Sequence, residues 1–181
     1  MRVSDDSDEI LDLVTNDDKV IGRLSREKVY RNNLTNFRTI NVFAINNKNQ
    51  VWFPVRHHKK KLWPNMIDAS IGGHVISGET YFDAFKRESM EEARLDISNM
   101  SWKLITKLLP YKDKTGSFTN VYVILCEDKE IKFNKNDFKS GDWIDFNLIE
   151  KFLASKLDKM KPDLPILIDA LIKDYIIISE K

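Results

Sequence analysis

The chain has 181 residues, 42% of them hydrophobic and 10% aromatic, which is enough for one well-buried core and for one domain of ordinary size. Lys and Arg total 29 against 28 Asp and Glu, a formal net charge of +1, so the balance supplies no electrostatic footprint for duplex nucleic acid or an anionic membrane. A single cysteine, Cys126, excludes an intramolecular disulfide and a cysteine-based metal cluster, and points to a reducing, cytoplasmic setting.

The opening "MRVSDDSDEI" is acidic and polar instead of basic then apolar. No run approaches the roughly 18 apolar residues that a spanning helix needs, so neither secretion nor membrane insertion is expected. "EILDLVTNDDKVIGRLS" reads as two short strands around the turn "NDDK", and Ser25 caps a short helix in "REKVYRNN". Residues 1–33 are thus expected to form a hairpin and a short helix. "TINVFAIN" and "VWFPVR", separated by "NKNQ", predict a second hairpin.

After the pair Gly72-Gly73, the pattern predicts a helix from about Thr80 to Ala93. Strands follow at "WKLITKLLPY" and "NVYVILCED", with the turn-rich "KDKTGS" between them, and "DWIDFNLIEKFLASKL" reads as a short strand entering a helix. A C-terminal helix is expected over 163–178, where Leu164, Leu167, Ile168, Leu171, Ile172 and Tyr175 keep helical spacing. Ile166, Ala170, Ile176 and Ile177 widen its apolar surface beyond one stripe, which either burial within the chain or a homodimer contact would explain. No repeat or low-complexity linker is visible. The order of elements predicts an α+β fold with a mixed β-sheet between helices, in a single domain over 1–181.

The helix after the glycine pair carries Glu88, Glu91 and Glu92. Positions three and four apart share a helix face, so these like charges repel by about a few tenths of a kcal/mol per exposed pair and more if buried. Phe82, Phe85, Ser89 and Ala93 occupy the other side at spacings suited to burial. A solvated, charge-rich helix is the bland reading. Glu79 before the helix, Arg87 beside Glu88 and the glycines favour a second one, a hard dication, because magnesium is held by a few carboxylates together with substrate phosphates.

Gly73, five residues, Glu79, seven residues and then "RESMEEARL" resemble the Nudix box, with its six glycine and ionisable positions matched in spacing through Glu92. Two positions depart from the pattern. Ser89 stands where an apolar residue is usual, and Arg94 stands where glycine usually ends the helix; losing that left-handed cap costs on the order of 1 kcal/mol. The resemblance implies the Nudix α/β/α sandwich and Mg2+ or Mn2+ bound by Glu88, Glu91, Glu92 and the Gly73 carbonyl. It also implies that Glu79 pairs with Arg87 to support the site, and that Glu88 or Glu91 activates water.

"EILDLVTNDDKVIGRLSREKVYRNN", "FRTINVFAINNKNQVWFPVR" and "KLWPNMIDASIGGHV" are further similar to the branch related to isopentenyl-diphosphate isomerase. In that isomerase a cysteine stands at the position of Gly72, and acidic metal ligands stand where this chain has Phe118, Thr119 and Asn120. An isomerase needs a proton donor and acceptor on opposite faces of its substrate, and those groups are missing. His74 matches the isomerase-like "GH" pair.

Arg56 and Lys60 stand where this branch places cations that meet a diphosphate, a basic surface loop being the other reading. His57 and His58, as strand neighbours facing opposite ways, are not expected to chelate, and Trp63 is expected in the core or stacked on a base. The expected activity is metal-dependent hydrolysis of a phosphoanhydride in a small-molecule, nucleoside diphosphate-type or other diphosphate-linked substrate. A noncatalytic nucleotide-sensing module and a diphosphate isomerase are the alternatives.

Overall fold

The structure is a computed structural model and describes residues 9–127 and 131–179. Strands β1 (Ile10–Val14) and β2 (Val20–Ser25) pair antiparallel, with Leu11 opposite Leu24. The chain then enters α1 (Arg26–Arg31), where the Ser25 side chain accepts the Lys28 N–H and satisfies one of the first free donors of the helix. Leu11, Val29 and Phe37 close a small core under this N-terminal unit.

The main sheet contains β3 (Arg38–Asn46), β4 (Gln50–Arg56), β5 (Ile71–His74), β6 (Ser101–Leu108), β7 (Phe118–Glu127) and β8 (Phe138–Asp145). Its order is β6-β7-β3-β4-β8, with β5 beside β3. The pair β3 and β7 is parallel while the others are antiparallel, which makes the sheet mixed.

Alternation along β3 sends neighbouring side chains to opposite faces. Ile40, Val42 and Ala44 pack with Ala84, Phe85 and Ala93 of α2 (Tyr81–Ala93). Phe43 and Ile45 pack with Ile149 of α4 (Ile149–Lys156) and with Leu164, Leu167, Ile168 and Leu171 of α5 (Leu164–Ser179). The result is an α+β sandwich with helices on both faces of the sheet. Ile166 and Ile172 of α5 are half-buried against the same core, so much of the wide apolar surface is covered within the chain. The side chains of Tyr175, Ile176 and Ile177 lie outside the described residues. Among the described residues no helix is long and apolar enough to cross a membrane.

Two expectations are corrected. The second hairpin is closed only near its turn, where Ile45 faces Val51; farther along, β5 takes the β3 edge, with Thr39–Val42 opposite His74–Ile71. The strand expected through "WKLITKLLPY" stops at Leu108, and Pro110–Asp113 forms the short α3. Proline is suited to a first helical turn because the N–H it lacks would have no partner there.

Candidate active site

The insertion of β5 brings Gly72 and Gly73 under α2. Thr80 caps that helix through a reciprocal capping box with Asp83, which sets where its first turn begins. Two turns later Glu88 and Glu92 are each only 8% exposed, whereas the Glu91 side chain is 58% exposed. The three glutamates therefore do not share one environment. At 100° per residue Glu92 lies about 40° from Glu88 around the helix, but Glu91 lies about 60° to the other side, at the rim. Phe82 also departs from its expected burial and is 43% exposed, leaning on Trp102 with ring centroids 5.2 Å apart.

Both buried carboxylates turn onto β5. Gly72 N–H donates to Glu92 Oε2 at 2.9 Å. A Cβ at Gly73 would stand 1.9 Å from Glu88 Oε1, so only glycine leaves room for that carboxylate. Arg87 gathers the remaining charges. Its Nε and Nη2 donate to the two oxygens of Glu79 at 2.8 and 3.0 Å, and Nη2 also donates to the His74 carbonyl at 2.9 Å. Nη1 donates to Glu88 at 2.7 Å and to Glu91 at 3.2 Å.

One guanidinium thus faces three carboxylates, with Glu92 beyond its reach of contact. Burial raises the Glu88 carboxyl to about 7 despite the opposing pull of Arg87. Burial also pushes Glu92 well above the usual carboxylate range, with the nearby Glu88 charge adding to the rise. Hard oxygen donors whose charge is disfavoured by burial and by each other are the donor set that suits a hard dication. Among the described residues no group of three His, Cys, Asp or Glu side chains is already gathered to hold a metal ion. The Arg87 guanidinium holds Glu88 and Glu91 on one of its nitrogens.

Arg56 and Lys60 are both engaged with carboxylates. Arg56 donates to Asp68 at 2.7 Å and to the Leu62 carbonyl, and Lys60 pairs with Asp137. Lys161 Nζ also donates to Asp68, at 3.1 Å. Burial favours the neutral acid at Asp68, but Lys161 and Arg56 outweigh it and hold the carboxyl below its ordinary value. The charges of Asp68 and Asp137 add to the rise at Glu92.

His57 and His58 lie in a turn after β4 instead of on a strand, and their rings approach to 4.2 Å between centroids. Trp63 is half-buried with left-handed backbone, φ 49°, and its ring covers Lys161 Nζ at 5.7 Å instead of filling either main core. Nothing in the local sequence pattern of Asp68, Lys161 and Tyr30, which meets the His74 ring, distinguishes them from surface residues.

The sequence matches the NUDIX domain family over residues 35–164. It is 43% identical over 136 residues to an uncharacterized Nudix hydrolase of Nostoc sp., covering 75% of this chain and 80% of that one. It is 40% identical over 139 residues to a Nudix hydrolase of Deinococcus radiodurans, covering 76% and 80%. The crystal structure of DR0079 from Deinococcus radiodurans superposes with a TM-score of 0.81 at 34% identity, covering 92% of this chain and 99% of that one. With the glutamate helix seated on its glycine pair and this extent of likeness, the chain belongs to the Nudix family and is a Nudix hydrolase.

Proposed function

We propose that the protein is a Mg2+- or Mn2+-dependent hydrolase of a phosphoanhydride in a nucleoside diphosphate-type or other diphosphate-linked substrate. The observation that carries this reading is the pair of buried glutamates, Glu88 and Glu92, turned onto Gly72-Gly73, where the single guanidinium of Arg87 faces three carboxylates. Glu88, Glu91, Glu92 and the Gly73 carbonyl hold the dication. When bound, it neutralises phosphate charge and lowers the pKa of the attacking water.

Glu79 and Arg87 orient the helix through their paired hydrogen bonds. Glu88 or Glu91 takes the proton from water. The water oxygen bonds to phosphorus as the bridging P–O bond breaks, and the leaving group departs as phosphate or a phosphorylated product. Arg56 and Lys60, held by Asp68 and Asp137, meet the substrate phosphates.

The similarity to the branch related to isopentenyl-diphosphate isomerase does not extend to that enzyme's reacting groups. Gly72 is packed against Asn41, and Phe118, Thr119 and Asn120 supply no carboxylate. The test is release of phosphate or monophosphate from a panel of nucleoside diphosphates and other diphosphate compounds, with and without Mg2+. Glu92→Gln is expected to remove metal-dependent turnover in a folded protein. Full turnover by that variant, or by wild type without metal, refutes the reading.

A further inference from the structure

The N-terminal unit lies upstream of the segment that matches the family, which begins at residue 35, yet it grips the loop between β5 and α2 from two sides. On one side the Tyr30 hydroxyl meets His74 Nε2 at 3.0 Å, and Glu9 Oε2 lies 3.4 Å from His74 Nδ1. Arg26 pairs with the same Glu9 carboxylate at 3.1 Å. The His74 ring also stacks on Phe37 at 5.7 Å. On the other side Ile76 bridges to Leu11, and Ser77 N–H donates to the Ile10 carbonyl at 2.7 Å. The buried Asp12 carboxylate accepts from Ser77 Oγ at 2.7 Å and from Gly78 N–H at 3.2 Å.

Between these two grips run residues 74–78, flanked by Gly73 on one end and Glu79 on the other. His74 is the residue whose carbonyl accepts from Arg87, and it is joined directly to Gly73. Groups that fix the orientation of a metal site from behind typically cost it about 10- to 100-fold in affinity when they are removed.

We propose that the N-terminal hairpin and helix are a brace for the metal-holding loop, and that Tyr30 is a positioning residue acting through His74 on the Gly73 carbonyl and on Arg87. This inference rests on the reading of the glutamate helix as a dication site. Loss of the phenol hydroxyl leaves the His74 ring with one partner fewer, free to tilt about its stack on Phe37 and to carry its peptide with it. A partly satisfied buried network holds geometry less well than a complete one.

The experiment uses the full chain, with Mn2+ alone as the probe in calorimetry and the best-hydrolysed panel compound in kinetics. Tyr30→Phe is expected to weaken Mn2+ binding and lower kcat by roughly 10- to 100-fold. KM for the substrate should stay within about twofold, because the substrate contacts are intact. Asp12→Asn, which leaves one acceptor oxygen where two are used, is the second variant and should move both quantities in the same direction. Thermal melting in parallel shows that each variant is folded at the assay temperature. If wild type binds no Mn2+, the dication reading falls and the brace with it. If wild type binds and both folded variants bind equally well, the brace alone is overturned.

Discussion

Glu88 occupies the space that a side chain at position 73 would need, its Oε1 standing 1.9 Å from where a Cβ would be built on Gly73. Glycine is required here by close approach across two elements, β5 and α2, and not by an unusual backbone angle. Gly73→Ala must push the carboxylate aside or lift the helix. We expect a stability loss of about 1–3 kcal/mol, the usual cost of overpacking. Urea unfolding measures that loss, and Mn2+ titration should show binding weakened in the same variant; an alanine variant as stable and as metal-competent as wild type would contradict the packing described.

The metal-free protein should show a pH signature from Glu88. Burial raises this carboxyl in the folded state to about 7, above the unfolded value near 4.5. The folded state therefore holds a proton that the unfolded chain releases, and the stability this contributes is present in acid and lost as pH rises through about 7. A dication needs the deprotonated form, so the rise in melting temperature on adding Mg2+ should grow over the same window. Melting at about pH 5 and about pH 8, with and without Mg2+, isolates this effect from other titrating groups. An equal Mg2+ shift at both pH values would count against it.

Asp68→Asn is expected to cost about 3–5 kcal/mol, because it leaves Arg56 and Lys161 without their shared buried partner. Denaturant unfolding reads the loss directly. The wild-type carboxyl is held below its ordinary value, so its stabilisation is present above about pH 4 and disappears as pH falls through the folded value. The variant should lack that part of the acid dependence. A loss under about 1 kcal/mol would mean that the two cations find other partners.

Arg94 ends α2 with φ 56° and ψ 32°, a left-handed conformation that disfavours any residue with a Cβ. Arg94→Gly should stabilise the protein by about 1 kcal/mol without changing the helix that precedes it. The midpoint of urea unfolding should rise with no change in slope. A decrease would show that the arginine side chain contributes more than its backbone costs.

The glutamate helix was legible in the sequence to within one residue, because capping, spacing and the charged positions of the box all agree on it. The helix beginning at Leu164 was readable from the spacing of its apolar residues alone. The place of β5 was not readable. Four residues, "IGGH", carry no periodic pattern, and only the folded sheet shows that they part β3 from β4. Two other features depend on partners far apart in the chain. Lys161 lies 93 residues from Asp68, and Tyr30 lies 44 residues from His74, so no local window could join them. Ser89 shows the limit from another side: its departure from the apolar pattern was visible, but only the structure shows its Oγ buried with no hydrogen-bond partner.

Because Arg87 bridges Glu88 and Glu91 from within the same helix, the folded chain carries a tethered counter-ion of its own. Two acidic side chains of one helix are thereby held together by a cation of the same helix. Any cation that settled on Glu88 and Glu91 would have to displace that guanidinium from both carboxylates, a rival held in place by its own backbone.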